Sequence, residues 1–194
     1  LRLQDWLTDI RRGSATPTLL HRFPNRLDPG AKKDGQLPRR WSAWTSPWLA
    51  HLAACASGHA VRTLLVGEDG LYGLAPVDRE DAVARLAALA SAWREARDAP
   101  LPTERETGFA WLAARDADDS TKALREARKR YEASPAPGAP PPIRERDRNL
   151  ARLFPDFDRL QAAGFVEATQ ALYGPVFDDV RARASRLDLP GVAP

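Results

Sequence analysis

Cysteine is almost missing from this chain: Cys55 stands alone among 194 residues. A disulfide framework inside the chain is therefore excluded, and a reducing, cytoplasmic setting is expected. No set of cysteines and histidines has zinc-ligand spacing, since the three histidines fall at 21, 51 and 59. No apolar run approaches the roughly 18 residues of a membrane-spanning helix. The N-terminus also lacks the charged, apolar and small-residue succession of a secretion signal, so neither membrane insertion nor export is expected. A glycine-rich loop closing on Lys-Ser or Lys-Thr is absent, so no ATP site can be placed. No cofactor is expected. Methionine is absent, and the chain opens on Leu1, as expected of a fragment of something longer.

What is present is ordinary for a globular protein: 43% hydrophobic and 28% charged residues. A chain of this length can bury roughly 70% of its unfolded surface. Its 17 prolines must fall in loops and helix starts. Net charge is +3, unevenly spread: +5 over residues 1–40, −5 over 41–120, +5 over 121–152 and −2 over 153–194. Two basic zones flank an acidic centre. Of the 29 basic residues 25 are arginine, which suits bidentate phosphate contacts and equally a GC-rich coding sequence.

The hydrophobic pattern places the elements. Leu1, Leu3, Leu7 and Ile10 around Trp6 predict a strand, Arg11 to Ser14 a turn, and Thr16 to Phe23 a second strand. Pro24 to Pro38 has loop chemistry. Trp44, Trp48, Leu52 and Cys55 recur at helical spacing and stop before Gly58, a cap; Ser46-Pro47 is an alternative start, with the preceding tryptophans in a separate turn. Val61–Val66 and Leu71–Ala75 flank Glu68-Asp69-Gly70 as a second hairpin. Asp78 caps a long helix to about Ala96, with Val83, Leu86, Leu89 or Ala90, and Trp93 as its apolar stripe. Short helical turns around 109–114 precede an amphipathic basic helix from about Ser120 to Ala133. There Leu124, Ala127 and Tyr131 face one way and Lys122, Arg125 and Lys129 another. Five prolines between 134 and 142 mark a linker, followed by short helices broken at Gly164 and Gly174-Pro175. The expected organisation is an α/β core over 1–133, a proline-rich linker over 134–144 and a helical extension over 145–194 packed on the core.

Several segments together carry a resemblance: Trp48-Leu49-Ala50-His51-Leu52, Thr63-Leu64-Leu65-Val66-Gly67, Ala82 with Leu86 and Leu89, Pro100-Leu101-Pro102, and Gly108 with Ala110-Trp111-Leu112. Further on come Ala127-Arg128 to Tyr131-Glu132, Arg144-Glu145-Arg146-Asp147, and Ala171-Leu172-Tyr173-Gly174-Pro175. In order and spacing the chain resembles the C-terminal part of the gamma subunit of exodeoxyribonuclease V, the RecC family. The resemblance implies a PD-(D/E)xK nuclease-like fold, catalytically degenerate. It implies RecB-like and RecD-like helicase subunits as partners, and contact with forked or single-stranded DNA in double-strand break repair.

That fold, when active, needs carboxylates on a hairpin to hold Mg²⁺ and a lysine two residues after an acid. The residues two before Lys32, Lys33, Lys122 and Lys129 are Gly30, Ala31, Ser120 and Ala127, so the motif is missing. Active RecB-like domains carry Asp near the end of one strand and Asp-Tyr-Lys on the next. By the implied alignment, Thr8 and Arg22 stand at the carboxylate positions and Pro24 at the lysine. Catalysis is therefore not expected. Asp5 and Asp9 read as a solvated strand surface, Pro155-Asp156 as a helix start, His51 as a structural imidazole and Cys55 as packing. Candidate DNA contacts are Arg11, Arg12, Arg22, Arg26, Arg39 and Arg40 near the front, with Lys122, Arg125 and Lys129 later. A solvated, salt-bridged surface or a protein-docking surface would use the same charges.

Overall fold

Alternating apolar residues build strands and apolar residues three and four apart build helices, and both patterns are realised in the computed structural model, which describes residues 7–12, 16–28, 40–115, 120–133 and 141–187. In chain order the first elements are β1 (Ile10–Arg11), β2 (Thr18–Arg22), a 3-10 turn (Trp41–Trp44), α1 (Thr45–Ala56), β3 (Arg62–Gly67) and β4 (Gly70–Leu74). There follow α2 (Arg79–Asp98), α3 (Arg105–Ala114), α4 (Ser120–Glu132), α5 (Ile143–Arg146) and α6 (Arg148–Leu153). The last are α7 (Phe157–Ala162), α8 (Phe165–Leu172), α9 (Gly174–Arg183) and β5 (Ala184–Leu187). The protein is thus mixed α/β. It divides into two compact units, one of residues Leu1–Ala88 with Asp178–Pro194 and one of Leu89–Phe177. Most of the proline-rich stretch expected as a linker lies outside the described residues.

The first unit is a five-stranded sheet in the order β1-β2-β3-β4-β5. The pair β2–β3 is parallel, joined through α1, and the other three pairs are antiparallel. Thr18 faces Arg62 and Arg22 faces Val66 across the parallel pair. A period of two then sends Leu19, Thr63, Leu65, Tyr72 and Leu74 to one side, where all are at most 1% exposed. Leu19 packs there with Ala54 of α1, Val61 and Leu7. Gly58, at φ +87, ends α1 in the left-handed conformation that glycine adopts without strain. The turn and helix starts resolve as a 3-10 turn running into α1, with Trp44 and Trp48 both buried.

Two strand expectations are corrected here. Among the described residues the first strand is Ile10–Arg11, so Arg11 belongs to the strand rather than the turn, while Leu1, Leu3 and Trp6 lie outside the described residues. Asp9, with φ +62, breaks the extended chain before it; aspartate is among the few residues that tolerate this conformation. The bend lets Leu7 reach the core cluster while Thr8 and Asp9 stay exposed, so strict alternation does not govern this stretch. Asp5 lies outside the described residues. The second correction is β5: Ala184–Leu187 pairs with β4 where the sequence led us to expect only helices. Ala-Ser-Arg-Leu has no β-branched or alternating signal, and the strand exists because the β4 edge offers its unpaired backbone groups.

The second unit is helical. Its core joins Ala127 and Tyr131 of α4 with Ile143, Phe157, Leu160 and Phe165, and Leu124 packs against it, so α4 buries the face its spacing predicted. Tyr131 Oη donates to the Phe154 carbonyl at 2.5 Å. Glu104 caps α3 through Thr107 N, and Asp156 caps α7 through Arg159 N, the latter as read from Pro155-Asp156. In α2 only Ala82 is buried. The expected stripe is open at both ends, with Val83 48% and Trp93 54% exposed. Alanine richness gives this helix its propensity without requiring a covered face.

Candidate nucleic-acid interface

The loop that follows β2 is fastened to the β3–β4 turn. Phe23 N donates to the Val66 carbonyl at 2.8 Å and Glu68 N to the Asn25 carbonyl at 3.3 Å. The Asp69 carboxylate accepts from Leu27 N at 2.8 Å and Asp28 N at 2.6 Å. Burial alone would raise the Asp69 pKa, but these backbone donors, with Arg26 nearby, outweigh it and hold the carboxyl below its ordinary range. Leu27 and Asp28 are fully buried. The described part of the loop, residues 23–28, is consequently a fixed base.

Three arginines stand on that base. Arg22 at the end of β2, Arg26 in the loop and Arg40 beyond it are all exposed. Arg40 N donates to the Leu27 carbonyl at 2.9 Å, and its guanidinium lies 6.0 Å from the Phe23 ring centroid, a cation–π placement that aims the charge without neutralising it. Arg11 and Arg12 are exposed as well, but Arg11 pairs with Thr18 at the opposite end of β2, roughly 13 Å away at strand rise. Arg11 also approaches Asp9 at 3.9 Å. Arg39 lies outside the described residues.

The later basic zone has a different character. On α4, Arg128 reaches Glu132 at 3.1 Å and also Asp158, Lys129 reaches Glu126 at 2.8 Å, and Arg130 is paired with Glu106. Glu106 also takes Arg146 at 2.8 Å. The hydrogen bond to Asp158 raises the Arg128 pKa further, while burial and the neighbouring Arg146 lower that of Arg130. Lys122 and Arg125 are exposed, and Lys122 has an interaction of its own. Much of the positive charge on α4 is thus matched by carboxylates within the same unit.

The hairpin positions implied as degenerate are all solvent-facing: Thr8, Arg22 and Pro24 are exposed. The Asp9 carbonyl accepts from Leu20 N at 3.1 Å, so Thr8 lies toward the Arg22 end of the hairpin. A cation at Arg22 opposes the charge a hairpin metal site requires. Among the described residues no group of three or more His, Cys, Asp or Glu could hold a metal ion. No described helix is long and apolar enough to cross a membrane.

A second polar group is buried beneath the sheet and escaped sequence reading. Asp179, with its side chain 2% exposed, takes Arg85 at 2.7 Å and Arg183 at 2.5 Å, and accepts from Trp48 Nε1 at 2.6 Å. Next to it His51 is fully buried, its Nδ1 3.0 Å from Thr63 Oγ1 and its Nε2 3.9 Å from Cys55 Sγ. Burial first, then the Arg183 charge, push the His51 pKa down to about 4, so the ring is neutral at pH 7 and serves packing, as a structural imidazole does. No sequence signal links Trp48 with Asp179, 131 positions apart.

The geometry therefore defines an α/β protein with an arginine-bearing rim on its sheet unit and no metal-binding acidic cluster among its described residues. Its family follows from comparison: the chain belongs to the RecC C-terminal domain family, whose model matches residues 1–116. The matched segment includes the sheet residues up to β4, together with α1, α2 and α3, and stops before the α4 and tail segments of the resemblance. The RecBCD enzyme subunit RecC of Escherichia coli (strain K12) is 39% identical over 93 residues, covering 43% of this chain. The chain spans only 8% of that relative's length.

Proposed function

We propose that this chain is a noncatalytic C-terminal portion of a RecC-type subunit, scaffolding a RecBCD-like helicase–nuclease and contacting DNA near the unwinding fork during double-strand break repair. In this reading its sheet unit is a PD-(D/E)xK nuclease-like core whose catalytic positions have become Thr8, Arg22 and Pro24. RecB-like and RecD-like subunits are its partners, the cytoplasm is its compartment, and ATP hydrolysis and strand cleavage belong to those partners.

The observation that carries the DNA contact is the difference between the two basic zones. Arg22 at the end of β2 and Arg40 beside the hydrogen-bonded loop stand exposed with no ion pair among the described residues, and the exposed Arg26 lies near Asp69, whereas Arg128, Lys129 and Arg130 are already matched by carboxylates. Phosphates compete best for cations that are held in place and lack a protein counter-ion. We therefore assign the phosphate path to Arg22, Arg26 and Arg40. Arg11 and Arg12 extend it along β2, and Lys122, Arg125 and Lys129 are secondary.

The test is anisotropy of a labelled forked DNA across a salt series in EDTA. Binding should weaken log-linearly with salt, and replacing Arg22, Arg26 and Arg40 by alanine should lower the slope by about one for each phosphate no longer neutralised. Alanine at Arg128 and Arg130 should leave the slope unchanged. No binding at low salt would favour the other reading, a module that docks the helicase subunits without touching DNA.

A further inference from the structure

Two glycines bracket the β3–β4 turn, and each gives room to residues remote in sequence. Gly67 and Gly70 face each other across the hairpin. A Cβ on Gly67 would meet Leu27 Cγ and Asp69 Oδ1, both at 2.9 Å, so Leu27 and the carboxylate bonded to its N–H are seated against bare backbone. A Cβ on Gly70, which sits at φ +149, would meet Arg186 Nε at 3.1 Å and Nη2 at 3.3 Å. The guanidinium of Arg186, from β5, thus lies along the turn, and its Nη2 donates to the Asp69 carbonyl at 2.7 Å across 117 positions of sequence. Asp69 is therefore engaged at both its polar groups: the carboxylate accepts from Leu27 N and Asp28 N, and the carbonyl from Arg186. Leu27 extends the connection, since its own carbonyl accepts from Arg40 N at 2.9 Å.

We propose that Asp69 and Arg186 are positioning residues for the arginine-bearing loop, holding Arg26 and Arg40 in a fixed arrangement for phosphate, so that an acidic side chain strengthens the binding of a polyanion. Given the DNA reading above, on which this role rests, neither residue touches DNA itself. Charge alone gives the opposite sign. Asp69 is near enough to Arg26 for the two charges to interact, so its carboxylate repels phosphate and offsets part of that cation, and removing it would tighten binding. Order acts the other way, because a cation already held in place loses less freedom when it binds. Both carboxylate oxygens go to main-chain N–H groups, and Asp69 has no ion pair among the described residues. The loop is thus ordered without a guanidinium being taken out of use. Arg186 backs the turn from β5, a strand that reaches it only after the chain has passed through the whole helical unit.

Two readouts on the whole chain test the role: anisotropy of the labelled forked DNA, and hydrogen exchange of the Leu27 and Asp28 amides without DNA. Gly67→Ala alters no charge but drives its Cβ against Leu27 and the Asp69 carboxylate, while Asp69→Ala removes a negative charge together with both acceptors. Each should weaken DNA binding at least about threefold through lost order, with the far-UV circular dichroism unchanged. Each should also speed exchange of the two amides, by at least about tenfold for Asp69→Ala, the scale of a hydrogen bond to a charged acceptor. Arg186→Ala, at an exposed side chain, should move both readouts in the same direction to a smaller extent, and it carries the test should Asp69→Ala fail to fold. Tighter binding by Asp69→Ala overturns the positioning role, as does accelerated exchange without loss of affinity in Gly67→Ala. Weaker binding by Arg186→Ala with unchanged exchange makes Arg186 a direct phosphate contact and overturns its part. If the unaltered chain does not bind DNA at low salt, the DNA reading fails and this role with it; if it binds and the variants bind as well or better, only the positioning role fails.

Discussion

Removing the Asp179 carboxylate is the sharpest perturbation of the sheet unit, because one buried group holds three partners from three helices. Asp179→Ala deletes two ion pairs and leaves Trp48 Nε1, on a residue 2% exposed, without its acceptor. Breaking a buried pair costs about 3–5 kcal/mol. Arg85 and Arg183 keep 33% and 26% of their side-chain exposure and can turn toward water, which lowers the figure to about 3 kcal/mol. Asp179→Asn retains an acceptor for Trp48 and should cost about 2 kcal/mol, the usual range for hydrogen bonds to charged groups. For a chain of this size about 3 kcal/mol corresponds to roughly 6–12 °C in Tm. Burial raises the Asp179 pKa, yet the Arg183, Trp48 and Arg85 bonds bring it below its ordinary value of 3.8. Its stabilisation is accordingly complete above the unfolded value and is lost as pH falls through the lower folded one. Urea unfolding at pH 7, followed by tryptophan fluorescence and far-UV circular dichroism, measures the loss, and Trp48→Phe closes a double-mutant cycle. A cost under about 1 kcal/mol for Asp179→Ala, or a Trp48→Phe penalty equally large with and without Asp179, would refute the reasoning.

His51, held near 4 by burial, should show no titration of its ring protons by NMR between pH 5 and 8. Because its folded pKa is below the unfolded value near 6.5, it contributes stability above that value and loses it as pH falls toward 4. Gly108→Ala should destabilise the helical unit by about 1–2 kcal/mol despite the better helix propensity, since its Cβ would meet Tyr173 Cδ2 at 2.9 Å and Thr169 Cγ2 at 3.1 Å; chemical denaturation checks the sign. Tyr131→Phe removes the bond to the Phe154 carbonyl and should cost about 1 kcal/mol, with faster amide exchange in α4 as an independent readout.

Sequence determined what depends on neighbours along the chain. The β3–β4 hairpin follows from two apolar runs around Glu68-Asp69-Gly70, and the buried face of α4 from the spacing of Leu124, Ala127 and Tyr131. The ends of α1 and α7 follow from Gly58 and Asp156. The family, too, was legible in motif order, and the missing acid-x-lysine pattern could be tested residue by residue. Tertiary structure decided what depends on groups remote in sequence. It made Ala184–Leu187 a strand because β4 had an edge to pair, and it bent the chain at Asp9 to bring Leu7 into the core. It gathered Trp48, Arg85, Asp179 and Arg183 into one buried node. It also matched Arg128, Lys129 and Arg130 with carboxylates while leaving Arg22 and Arg40 exposed without an ion pair among the described residues, since a charge run records only which ions are present, while the fold fixes the distances over which they attract.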